Sequence, residues 1–122
     1  MLGRCQTFSS DLKVRIESTD LSTFPDLSVI CGELTFALID GNAAINPTLL
    51  VEMTSPATED YDRGGKLSHY KQAKSLQAVL FISHRTQQIS LHERSTMGWE
   101  AREFRSGERV ELSEPALSRR GG

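Results

Sequence analysis

The chain reads as an α/β domain, a mixed central sheet with one main helix, and three features predict it. Residues 12–17 (LKVRIE) alternate apolar and polar, the period of a half-buried strand. Residues 48–53 (TLLVEM) are almost continuously apolar, as expected of a strand covered on both faces. Ser55-Pro56 follows at once, an N-cap residue with proline at the first helical position.

The remaining elements fall between these anchors. Residues 19–25 are a connection leading to a second strand, 26–31, which Gly32 ends. Residues 33–46 form a loop with Asp40-Gly41-Asn42 as its turn. The helix starts near Ser55 or Thr58 and runs to about Ala73. Adjacent Gly64-Gly65 costs about 0.5–1 kcal/mol per glycine relative to alanine, so a break is expected there. Residues 77–82, 88–93 and 99–104 then read as strands, with 109–112 as a short last one. Short polar connections make this C-terminal part an antiparallel meander. Residues 1–10 and 114–122 are expected to be poorly ordered parts of a single domain spanning 1–122.

Composition narrows the function classes. The chain has 122 residues, 38% hydrophobic and 25% charged, the profile of one ordinary globular domain. There is no 18-residue apolar run and no apolar N-terminal segment of the secretory kind, so a cytoplasmic protein with no membrane partner is expected. Cys5 and Cys31 show no metal-ligand spacing and no disulfide framework, and read as small buried thiols. His69, His84 and His92 lack ligand spacing and read as surface or structural residues. A net charge of −2 lacks the basic footprint of a dedicated nucleic-acid binder, yet a site that gathers carboxylates around a cation tolerates it.

The chemistry concentrates in residues 51–66. Glu52 sits inside an apolar strand, where an unpaired carboxylate is costly. Leu49, Val51 and Met53 share one face, and Leu50 and Glu52 the other. An edge strand with Glu52 facing water is the bland explanation, but its neighbours are too apolar for that. Asp26 follows Pro25 at the head of the earlier strand, by itself a common turn device. Paired with Glu52, it makes two carboxylates whose repulsion a divalent cation would relieve. Oxygen ligands suit Mg²⁺ or Mn²⁺. Asp62, Lys66 and Tyr70, spaced i, i+4, i+8, form one helix stripe. That stripe is no more than a surface ion pair worth roughly 0.3–0.5 kcal/mol, unless it points back at the strand end. Arg63, Lys71 and Lys74 read as solvated helix charges, and Trp99 as packing.

Phe24-Pro25-Asp26, Asn46-Pro47-Thr48, Val51-Glu52, Ser55-Pro56-Ala57-Thr58 and Tyr61-Asp62-Arg63-Gly64, with Lys66 and His69-Tyr70, resemble the Uma-two-type restriction endonuclease family. This is a bacterial branch of the PD-(D/E)XK nuclease superfamily. The resemblance covers residues 11–112 and implies a restriction-endonuclease-like core. It implies an Mg²⁺- or Mn²⁺-dependent endonuclease acting on nucleic acid, DNA rather than RNA. Asp26 and Glu52 would be metal ligands, with the Met53 carbonyl a third, and Asp62 and Tyr70 would support them. The superfamily lysine normally stands two residues after the glutamate, where this chain has Thr54; in the family resembled it moves onto the following helix, as Lys66 does. Relatives carry a further N-terminal helix and hairpin, so the chain reads as a truncated member. The alternative is a catalytically inactive homologue serving as a binding or self-association module, and a homodimer is compatible with either.

Overall fold

The structure, a computed structural model, describes residues 4–54, 61–83 and 88–105, and of 61–63 the backbone alone. Six strands form the main sheet: β1 (Cys5–Phe8), β4 (Leu27–Cys31), β6 (Leu49–Thr54), β7 (Ala78–Ser83), β8 (Ile89–Ser95) and β9 (Gly98–Phe104), in the spatial order β1-β4-β6-β7-β8-β9. Strands β2 (Lys13–Ile16), β3 (Leu21–Thr23) and β5 (Ala43–Ala44) form a second sheet ordered β3-β2-β5.

The main sheet is mixed because β6 and β7 run parallel while every other neighbouring pair in it is antiparallel. Parallel strands need a crossover, and the helical segment between them supplies it. That segment has a π-helical turn, Tyr61–Lys66, followed by one α-helical turn, α1 (Leu67–Tyr70). At Gly64-Gly65, where a break or kink is expected, the winding is π-helical and becomes α-helical only from Leu67. The helix also ends earlier than Ala73: Lys71 closes it, and its backbone N–H reaches the Leu67 carbonyl at 3.0 Å. The proposed cap at Ser55-Pro56, the strand over 109–112 and His84 lie outside the described residues.

Sequence periodicity located the long strands but not the short ones. β3 lies within the segment read as a connection, and β5 within the segment read as a loop. Neither has enough residues to show a period; pairing with β2 on both sides is what makes them strands. Cys5–Phe8, in the stretch expected to be poorly ordered, pairs with β4 as an edge strand. The C-terminal meander is present as β7-β8-β9. Gly98, at φ +117°, closes the β8–β9 hairpin in a conformation other residues rarely adopt.

The two faces of the main sheet bury different clusters. Leu50, Val79 and Phe81 meet Val14 and Ile16 of the small sheet, Tyr70 of the helical segment, and Ala73 and Leu76 of the turn after it. On the opposite face Val29, Leu49, Val51, Ala78 and Leu91 form a second cluster. Arg94 on β8 ties the post-helix turn to the sheet: its Nε donates to the Leu76 carbonyl and its guanidinium to the Ala73 carbonyl, both at 2.9 Å. Its guanidinium also stacks over Trp99, 4.8 Å from the ring centre. Trp99 is half-buried packing, as expected.

One expectation about the cysteines is overturned. Cys5 and Cys31 face each other across β1 and β4, Cα atoms 3.9 Å apart, and form a disulfide. Cys5 is exposed, not a buried thiol. Their spacing of 26 residues matches no framework pattern, so only the register brings them together.

Candidate active site

The site grows from the β4–β6 ladder. Leu27 pairs with Val51, so one further step along both strands sets Asp26 opposite Glu52. Glu52 lies on the face that carries Leu50 and the helical segment, and Asp26, just before β4, is near enough for its charge to act on Glu52. The Met53 N–H donates to Asp26 Oδ2 at 2.7 Å. In an extended strand the N–H and C=O of one residue point to the same side. The Met53 carbonyl thus also points toward Asp26 and away from β7.

Glu52 is 3% exposed, and its two oxygens have separate partners. The Tyr70 hydroxyl, itself fully buried, donates to Oε2. Lys66 Nζ lies 3.5 Å from Oε1. Lys66 and Tyr70 are four residues apart across the junction of the π-helical and α-helical turns, so one stripe delivers both to the same carboxylate. The structure brings Asp26, Glu52, Lys66 and Tyr70 together. Asp62 belongs to the same helical segment, but its side chain lies outside the described residues. Lys71, read from sequence as a solvated helix charge, closes the helix, and it is Lys66 that meets Glu52. Thr54, at the superfamily's usual lysine position, is buried on the Glu52 face, with its hydroxyl 3.4 Å from the Ile82 carbonyl. What sequence reading missed is Arg94, which anchors the segment following Tyr70 without touching the site; it falls just past the strand read over 88–93, and no sequence signal marked it.

Burial is the largest influence on Glu52 and raises its pKa above the ordinary glutamate value. The Tyr70 hydrogen bond and the Lys66 charge oppose this, and the Asp26 charge adds to it. A carboxyl whose pKa is raised on folding binds more protons folded than unfolded. Its protonated form therefore stabilises the fold below the ordinary glutamate value, and that contribution is lost as pH rises through the elevated one. In metal-free buffer, stability is expected to fall over that window in the wild-type protein and to change less in Glu52→Gln. Parallel urea titrations between pH 4 and 8 measure this, and identical pH profiles would contradict it.

Comparisons with known proteins agree with this architecture. The Uma2 family model, described as "Putative restriction endonuclease", matches residues 2–120. An uncharacterized protein of Synechocystis sp. is 36% identical over 117 residues, covering 95% of this chain and 60% of the relative. A second from the same organism is 30% identical over 77 residues, 63% of this chain and 44% of that protein. The chain thus spans 60% or less of the length of these relatives. A crystal structure from Anabaena variabilis, described as a "putative nuclease belonging to DUF820", superposes with a TM-score of 0.70 at 19% identity. That match covers 93% of this chain and 62% of the other, and shows a shared fold. With a restriction-endonuclease-like mixed sheet and a family match along nearly its whole length, the chain belongs to the Uma2 family of restriction-endonuclease-like proteins.

Proposed function

We propose that the protein is a metal-dependent endonuclease that hydrolyses nucleic-acid phosphodiester bonds, DNA rather than RNA. One observation carries the reading: a buried glutamate, held by a buried tyrosine and faced by a lysine, lies within reach of the charge of an aspartate.

The donor set fits a hard divalent cation. Asp26 and Glu52 are close enough for the charge of one to disfavour ionisation of the other. Among the described residues no group of three or more His, Cys, Asp or Glu side chains is arranged to hold a metal. Two carboxylates suffice for Mg²⁺, which takes one or two and keeps several waters. Asp26, Glu52 and the Met53 carbonyl would hold Mg²⁺ or Mn²⁺. When bound, the ion supplies a water of lowered pKa and neutralises charge developing on the phosphate.

The chain's own residues do the rest. Tyr70 fixes the Glu52 carboxylate by a hydrogen bond made inside the core, where little else can move it. Met53 N–H fixes one oxygen of Asp26. Lys66 approaches Glu52 at the outer limit of hydrogen bonding, a contact that a substrate oxygen can displace. Its ammonium orients the attacking water or stabilises charge on the phosphate.

The test is cleavage of supercoiled plasmid, and of RNA in parallel, with Mg²⁺ or Mn²⁺. Nicking that a chelator abolishes is the expected result. Lys66→Ala should slow cleavage by about 10²–10⁴-fold while binding Mn²⁺ almost as tightly, whereas Lys71→Ala should cleave normally. Equal losses in both variants would remove Lys66 from its role.

A second reading has its own support. Phe24, Phe36, Leu38 and Ile39 are exposed, Leu38 entirely so. Such apolar exposure suits a binding or self-associating module, including a homodimer, that does no chemistry. A well-folded protein that cleaves neither DNA nor RNA with either metal would make this the better account.

A further inference from the structure

The disulfide lies at the far end of β4 from Asp26 and joins it to a strand with little buried apolar surface of its own. β1 is four residues long, and among the described residues it lies at the sheet edge with β4 its one neighbour. Cys5, Gln6 and Thr7 are exposed and Phe8 is half-buried, and no β1 residue belongs to either buried cluster. The ladder places the two cysteines at a non-hydrogen-bonded position: Gly32 N–H donates to the Arg4 carbonyl at 2.9 Å, so the bonded pairs are the steps on either side. The Cys31 N–H accordingly turns away from β1 and donates to the Thr48 hydroxyl at 3.0 Å. Between Cys5 and Cys31 themselves, the covalent bond is the link that holds the strands.

We propose that the Cys5–Cys31 pair is a reversible redox latch: oxidised, it fastens β1 along β4, and reduced, it lets β1 leave and opens the β4 edge. The chemistry is thiol–disulfide exchange with a dithiol. A dithiol thiolate attacks the exposed Cys5 Sγ, the S–S bond breaks, and Cys31 leaves as a thiolate and takes up a proton. The second thiol of the reductant then closes its own disulfide and releases Cys5 as a thiol. Two electrons pass from the dithiol to the protein. What holds β1 in the oxidised state is chiefly the restricted freedom of a loop closed over 26 residues of separation. Without it, four mostly exposed residues have little buried apolar surface to retain them. Release uncovers N–H and C=O groups of Ser28 and Ile30, a strand edge that natural sheets keep covered.

The test is hydrogen exchange on the wild-type chain, oxidised with glutathione disulfide and then reduced with dithiothreitol, with mass spectrometry confirming the thiol state. Reduction should accelerate exchange about tenfold or more at the amides of Gln6, Phe8, Ser28, Ile30 and Gly32. Amides of β7 and β8 should accelerate much less than those of β1 and β4, the melting temperature should fall by about 10 °C, and reoxidation should restore both. A Cys5→Ser/Cys31→Ser variant should match the reduced protein in either buffer. Unchanged exchange on β1 after full reduction would overturn the latch, as would two free thiols persisting under glutathione disulfide. Neither readout depends on cleavage, so the latch and the nuclease reading can fail separately.

Discussion

Glu52→Gln is expected to leave the protein folded and to lower metal-dependent cleavage by at least about 10³-fold. Glutamine keeps the length and shape of the side chain, and its carbonyl oxygen can still accept the Tyr70 hydrogen bond. What it loses is the negative charge, and with it one of the two carboxylates available to a cation. Because Glu52 lies in a core strand, Glu52→Ala would confound this with a cavity and the loss of the buried Tyr70 hydrogen bond. Circular dichroism and a urea transition establish that the variant is folded before its activity is read. Cleavage by Glu52→Gln within about tenfold of the wild type would show that this carboxylate is not a catalytic ligand.

Phe81→Ala is expected to produce the largest loss of stability, about 3–5 kcal/mol, the usual cost of emptying a buried aromatic site. Phe81 is fully buried, directly beside Glu52 in the parallel register, and meets the His92 ring edge-on at 5.7 Å between centroids. It joins the cluster that includes Tyr70, so its removal withdraws support from the residue that fixes Glu52. A domain of this size has a total stability on the order of 5–15 kcal/mol, and the variant should be marginal at 37 °C. Chemical denaturation of both proteins measures the difference. A loss below about 1 kcal/mol would mean that the helical segment closes over the gap, and that the core is looser than the burial suggests.

Glu52 was legible in the sequence because its surroundings are anomalous: a charge within an apolar run has few explanations. Its place on the face with Leu50 followed from strand periodicity alone. Lys66 and Tyr70 were legible as a stripe, but what that stripe faces depends on the crossover between β6 and β7, which is a property of topology. The π-helical turn escaped detection for a related reason. Gly64-Gly65 disfavours an ordinary helix locally, and tertiary packing of Tyr70 compensates for it. Asp26 became informative only through its partner, since Pro-Asp is common at turns. β3 and β5 exist because β2 lies between them, and residue patterns two or three long carry no periodicity. The cysteine pair was hidden most completely. Nothing in the identity or spacing of Cys5 and Cys31 encodes their meeting, which follows from the β1–β4 register.

The central claim is that Asp26 and Glu52 form one divalent-cation site. The most direct measurement is an anomalous diffraction map from crystals of this protein grown with millimolar Mn²⁺. The account predicts a peak in bonding contact with both carboxylates, and its disappearance in Glu52→Gln crystals treated alike. Well-diffracting crystals with Mn²⁺ bound elsewhere, and none between these two residues, would contradict it.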